Sequence, residues 1–188
     1  KEDIRPITIF LEANRKFIKS FKKNVNTGVI AELLVCQKLL KNHNNTKIIY
    51  YGGTKKGYDI EIQLNNNKIH IDVKGTIVKD KDGNPKWVRQ KGTKFAKIQH
   101  GKKDKPQTVT LRLDYYKDFY YVFVDVQKWI DSPEADYYLV SDTNAKKELG
   151  KRYKNFENKR ENNSDDMWVE YKDVKQYKDN ELKGLAKK

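Results

Sequence analysis

A chain of 188 residues with a single cysteine is long enough for one ordinary domain with its own core, forms no internal disulfide, and contains no run near the roughly 18 apolar residues that cross a bilayer. Its net charge of +14 on 22.2 kDa points to a polyanionic partner, nucleic acid ahead of an anionic membrane surface, since no basic amphipathic helix stands apart from the core pattern. A reducing, cytoplasmic setting is expected, and Lys1 to Phe10 lack the apolar centre of a secretory signal. Lys, Asn, Ile and Tyr are all abundant, a bias of AT-rich coding, so the distribution of charge says more than its total. Lys79 to Lys105 holds ten Lys or Arg against three Asp.

In chain order, Pro6 to Phe21 carries Phe10, Leu11, Phe17, Ile18 and Phe21 on what reads as one face of an amphipathic packing helix, with Lys16, Lys19 and Lys22 outside. A second helix, capped by Asn26 or Thr27, runs through Val29, Ile30, Leu33, Leu34, Cys36, Leu39 and Leu40 to about Lys41. Three strands follow, Lys47 to Tyr51, Tyr58 to Leu64 and Lys68 to Val73, separated by Gly52-Gly53 and an Asn65 to Asn67 turn. Thr76 to Gln107, basic and broken by glycines and prolines, reads as a long loop with a short helix around Phe95 to Gln99. Phe119 to Val126 reads as a strand buried on both faces, and Tyr137 to Val140 as another. Ser141 to Asn144 can cap a helix through Leu149. A lysine-rich stretch then leads to a strand at Met167 to Tyr171 and an ambiguous ending. The expected architecture is α/β: a mixed central sheet flanked by helices in a single domain, with its core over about 26–140, a basic loop over about 76–107 and an extension over about 150–188.

The chemistry lies on the middle hairpin. In Asp59-Ile60-Glu61-Ile62-Gln63-Leu64 the polar residues share one strand face and the apolar residues the other; in the next strand Ile69, Ile71 and Val73 oppose Lys68, His70, Asp72 and Lys74. A two-residue Asn65-Asn66 turn pairs Leu64 with Asn67, Ile62 with Ile69, Ile60 with Ile71 and Asp59 with Asp72. Carboxylates placed directly opposite, with Cβ atoms about 5 Å apart, repel unless a cation lies between them. Hard oxygen donors suit Mg²⁺, with Mn²⁺ as a substitute. Lys74, two residues beyond Asp72 on the same face, could position or help deprotonate an attacking water, or balance charge on a scissile phosphate. The plain alternative is a surface hairpin with charges on its wet side. Glu32 argues against that alternative, since its helical neighbours Gly28, Val35, Cys36 and Leu39 are small or apolar and a carboxylate among them needs a partner: a metal-linked water, a second Mg²⁺ beside Asp59, or a lysine such as Lys74.

Gly57-Tyr58-Asp59 followed by Ile71-Asp72-Val73-Lys74, preceded by the helix Gly28-Val29-Ile30-Ala31-Glu32, resembles the PD-(D/E)xK nuclease superfamily of restriction endonucleases, junction resolvases and repair nucleases. The resemblance covers roughly Asn26 to Val126 and implies a restriction-endonuclease-like core. It further implies Asp59 and Asp72 as metal ligands, Lys74 as the catalytic lysine, the Val73 carbonyl as an additional ligand and Glu32 as the helix acid. Tyr58 stands at the nominal proline, and Asp72 in a slot often held by Glu.

The basic stretch is the expected DNA-facing element, with Lys79, Lys86, Arg89, Lys91, Lys94, Lys97, Lys102 and Lys103 on phosphates and Trp87, Arg89, Gln90 or Gln99 near base edges. His70 pairs with Glu61, either as an ordinary cross-strand pair or as an outer group of the site. His43 and His100 have no zinc-ligand spacing around them, Cys36 reads as core, and one cysteine cannot hold an iron-sulfur cluster. The expected function is Mg²⁺-dependent hydrolysis of DNA phosphodiesters by a restriction-type homodimer. A Holliday junction resolvase or repair nuclease is the nearest alternative, a catalytically silent DNA-binding module is the alternative of another class, and RNA remains open as substrate.

Overall fold

The computed structural model describes residues 4–21, 26–43, 47–52, 58–64, 67–89, 97–98, 109–110, 119–145, 147 and 167–186. Helices α1 (Arg5–Phe21) and α2 (Thr27–Asn42) open the chain and pack on each other. Asn26 supplies the α2 cap, its side-chain oxygen accepting from Val29 N at 3.3 Å. The helix buries Ile30, Ala31, Leu34, Val35 and Leu39, a broad apolar stripe.

Strands β1 (Lys47–Tyr50), β2 (Ile60–Leu64) and β3 (Asn67–Thr76) form an antiparallel meander. The register of β2 on β3 is the one expected from alternation, with Leu64 opposite Asn67, Ile62 opposite Ile69 and Ile60 opposite Ile71. After an excursion through β4 (Lys86–Arg89), β5 (Lys97–Ile98) and β6 (Val109–Thr110), β7 (Phe119–Asp125) returns parallel to β3. Helix α3 (Val126–Asp131) follows at once, and β8 (Asp136–Ser141) then runs antiparallel to β7. The sheet order is β1-β2-β3-β7-β8, a mixed central sheet flanked by helices.

Alternation divides the sheet into two packed faces. Ile60, Ile62, Ile69, Ile71, Val73, Tyr120, Val122 and Val124 join the apolar side of α2. On the other face Phe119, Tyr121, Phe123, Tyr138 and Val140 pack with Trp87 and Val169 from a ribbon of β4 and β9 (Met167–Glu170), followed by the short helix α4 (Tyr171–Val174). Every residue of β7 is buried, as the unbroken apolar run requires. The chain's ending docks along β8: Asp179 N donates to Tyr137 O at 2.9 Å, and Leu182 and Leu185 are fully buried in the α2-side core.

Four expectations change. In α1, Leu11 and Ile18 are buried while Phe10 and Phe17 are about half exposed; one residue of helix turns a side chain by 100°, so the two pairs belong to different faces. Lys86 to Arg89 is a strand and not loop, because Trp87 is 1% exposed and its indole N–H donates to Val124 O at 3.1 Å, which removes it from any base-reading role. Lys97–Ile98 is a short strand where a helix was expected. α3 begins at Val126, which the sequence assigns to the strand: Asp125 Oδ1 accepts from Lys128 N at 3.0 Å and ends the strand as a helix cap. At 141–145 Ser141 Oγ accepts from Asn144 N at 3.3 Å and a helical turn forms as expected. Residues 148–166 lie outside the described ones. Among the described residues no helix is long and apolar enough to cross a membrane.

Candidate active site

The site assembles where the C-terminal half of β3 meets the first turns of α2. β3 runs to Thr76, three residues past the expected end, so Asp72 and Lys74 are held in regular strand and both hydrogen-bond to neighbours within the sheet region. Gly75 permits the approach of α2: a Cβ there would lie 2.5 Å from Thr27 O and 2.6 Å from the Ala31 Cβ, far inside van der Waals contact. Only glycine lets the helix carrying Glu32 seat this close to the strand carrying Lys74. In the sequence, the sign of this close backbone approach is a glycine within an otherwise β-forming run.

Asp59 lies one residue outside the ladder. The β2–β3 pairing ends at Ile60 opposite Ile71, so the expected Asp59–Asp72 cross-strand pair is not formed. The strand bends instead, Asp59 N donating to Ile71 O at 2.9 Å and its Oδ2 accepting from Val73 N at 2.8 Å. The carboxylate thus substitutes for a backbone acceptor, which fixes it beside the Asp72 segment. Val73 enters the site through its amide.

Asp72 is fully buried, and its Oδ1 accepts from Lys74 Nζ at 2.9 Å. Burial alone pulls the Lys74 ammonium toward deprotonation. The charges of Asp72, Asp59 and Glu32, with the Asp72 hydrogen bond, outweigh burial and raise its pKa. All three acids therefore act on one ammonium. Glu32, buried on α2, accepts a 2.7 Å hydrogen bond from the Tyr50 hydroxyl, a partner not among those expected for it. Burial, then the Glu32 hydrogen bond and charge, hold the Tyr50 phenol protonated, so it remains the donor. Tyr50 shares its strand phase with Ile48, which packs on the α2-side core; that parity was the legible sign that it faces the helix.

A second polar group lies on the same β3 face. Glu61, opposite His70 in the register, receives Tyr58 OH at 3.1 Å, Lys68 Nζ at 3.3 Å and His70 Nε2 at 3.7 Å. Desolvation raises the Glu61 pKa, but the Lys68 and Tyr58 hydrogen bonds and the Lys68 and His70 charges bring it below the usual carboxylate range. Tyr58, buried, also packs its ring 4.5 Å from that of His70.

Of the basic residues expected to meet DNA, Lys79 lies 2.5 Å from Asp125 Oδ2, an ion pair that ties it to the α3 cap. Lys86 is held through its backbone, its carbonyl accepting from Thr76 Oγ1 at 2.7 Å. Both border a cleft of about 620 Å³ lined by Lys79, Lys81, Lys86 and Lys172 together with Asp80, Asp82 and Glu170, a mixed lining and not a continuous cationic one. The side chains of Arg89 and Lys97, and Gln90, Lys91, Lys94, Lys102 and Lys103 entirely, lie outside the described residues.

Among the described residues no three His, Cys, Asp or Glu side chains converge as a metal-binding group. Asp59 and Asp72 are buried hard-oxygen donors, and Mg²⁺ takes one or two protein carboxylates and fills its shell with water and phosphate oxygens, so in donor chemistry they suit that ion. No family model, curated protein or solved structure matches the chain.

Proposed function

We propose that this protein is a metal-dependent DNA endonuclease with a restriction-endonuclease-like core, its site formed by Glu32, Asp59, Asp72 and Lys74. The observation that carries the reading is the Lys74 ammonium, 2.9 Å from Asp72 and in the combined field of Asp72, Asp59 and Glu32. Three buried acids whose charges act on one lysine are costly to fold unless the site has work to do. The order of a helix acid, an antiparallel meander and a parallel buried strand also supports it.

Asp59 and Asp72, with the Val73 carbonyl, would hold Mg²⁺ or Mn²⁺, and Glu32 would reach it through water. Such an ion supplies Lewis-acid stabilisation of the scissile phosphate and a more acidic water. The chain's own contribution follows from its electrostatics. Lys74, kept as an ammonium by its acidic neighbours, orients the attacking water and balances charge on the phosphorane-like transition state rather than abstracting the proton. Tyr50 fixes the Glu32 carboxylate, and the Val73 amide fixes that of Asp59.

One observation favours a second reading. Asp72 is paired with Lys74 and Asp59 with an amide inside the protein, as a purely structural polar cluster would be, which suits a catalytically silent DNA-binding module. Incubating plasmid, phage and four-way-junction DNA with the protein in Mg²⁺ separates these readings. Discrete fragments support a restriction enzyme and junction-selective cuts a resolvase, both lost in Asp72→Ala; salt-dependent binding without cleavage supports the silent module.

A further inference from the structure

α1 buries Leu11 and Ile18 against the core yet leaves Ile9 67%, Phe10 46% and Phe17 47% exposed. At 100° per residue, Pro6, Ile9, Phe10, Ala13 and Phe17 occupy an arc of roughly 100°, beside the arc of Ile7, Leu11 and Ile18 that faces inward and centred about 130° from it. Pro6 and Ala13 are exposed as well. Positions 6, 10, 13 and 17 alternate spacings of four and three, the seam of a two-helix pair. An outward apolar stripe of this size on a helix marks a binding surface.

We propose that the occupant is a second copy of this chain, docked α1 against α1 in antiparallel sense about a two-fold axis at Ala13. Charge complementarity selects it. Arg5, Glu12 and Lys16, all exposed, lie along one flank of the stripe. A two-fold axis perpendicular to both helices brings that flank of each copy to the same side of the pair. Glu12 then lies within one helical turn of Lys16 in the other copy, and the symmetry makes the contact twice. The same pairing sets Phe10 beside Phe17 of the other copy and gives the closest approach to Ala13, the smallest side chain of the stripe. A parallel pair would bring the charged flank of one helix against the uncharged Asn14 flank of the other, with no Glu12–Lys16 contact. A duplex polyanion would meet Glu12 and an apolar ridge, which does not suit phosphate. The pairing stands whether or not the nuclease reading does.

The test is sedimentation equilibrium of the full chain, with disulfide trapping in a Cys36→Ser background. The chain should sediment at twice its 22.2 kDa mass at about 100 μM. Phe10→Asp with Phe17→Asp should weaken self-association at least about 100-fold while leaving the far-UV circular dichroism spectrum of the folded chain unchanged, since neither ring is part of the buried core. Lys16→Glu should weaken it, and adding Glu12→Lys should restore it. Ala13→Cys should cross-link efficiently and Phe10→Cys poorly. A monomer at that concentration, a dimer indifferent to the Phe10 and Phe17 changes, or Phe10→Cys cross-linking better than Ala13→Cys would overturn the proposal. So would a monomer that binds anionic vesicles through the stripe.

Discussion

Lys74 concentrates the electrostatics of this protein at one atom. Replacing it with Ala removes the charge that Asp72, Asp59 and Glu32 share, and should reduce DNA cleavage by about 10²–10³. It also leaves the buried Asp72 carboxylate without its 2.9 Å partner, so a loss of about 1–3 kcal/mol in chemical denaturation should accompany it, discounted for the partial exposure of Lys74. Tyr50→Phe keeps the ring and deletes the hydroxyl on Glu32, and should lower kcat with little change in KM. The acid limb of stability belongs to other residues. Glu61, and Asp136 with its Lys128, Lys178 and Asn180 hydrogen bonds, both end below the usual carboxylate range despite burial. A depressed folded pKa contributes stability that is present above the unfolded value, near pH 4, and is lost as pH falls through the folded value. Urea midpoints measured between about pH 6 and 3 should therefore decline, and Asp136→Asn should flatten that decline.

At the scale of elements, the β2–β3 hairpin was legible because strict alternation and a two-asparagine turn admit one register, and a slip by one residue would turn every Ile away from α2. The helix capped at Asn26 was legible for a similar reason: cap and stripe agree. β4 was not, since lysines mask the Trp87-Val88 pair and its partner β9 begins at Met167, a distance no local pattern reports. Nor was the phase of α1, where two adjacent apolar stripes leave open which one turns inward. The helix-to-strand contact at Gly75 is the most exacting joint in the site. Gly75→Ala should cost about 1–3 kcal/mol by overpacking and displace Glu32 from Lys74, so activity should fall further than the melting temperature predicts. Leu185→Ala, at a fully buried position remote in sequence from the site, should cost about 2–5 kcal/mol and leave the activity of the folded fraction intact.

For the whole molecule, the α/β layering followed from element order, with the run at Phe119 to Val126 requiring a strand covered on both sides. What the sequence could not convey was how the excursion between β3 and β7 returns to cover the sheet with Trp87, or how Leu182 and Leu185 close the opposite face. Both depend on contacts between distant segments. The sequence pattern puts Glu32 on α2 and Asp59, Asp72 and Lys74 on or beside the β2–β3 hairpin, but does not report their geometry: in place of opposed carboxylates a bend sets Asp59 on the Val73 amide, and Glu32 takes the Tyr50 hydroxyl as a partner. The most direct test of the central claim is cleavage of plasmid DNA by the wild-type chain and Asp72→Asn in the presence of Mg²⁺, with DNA binding followed in parallel. The wild type should cut, Asp72→Asn should not, and both should bind comparably. Uncut DNA despite tight binding by the wild type, or equal cutting by Asp72→Asn, would contradict the claim.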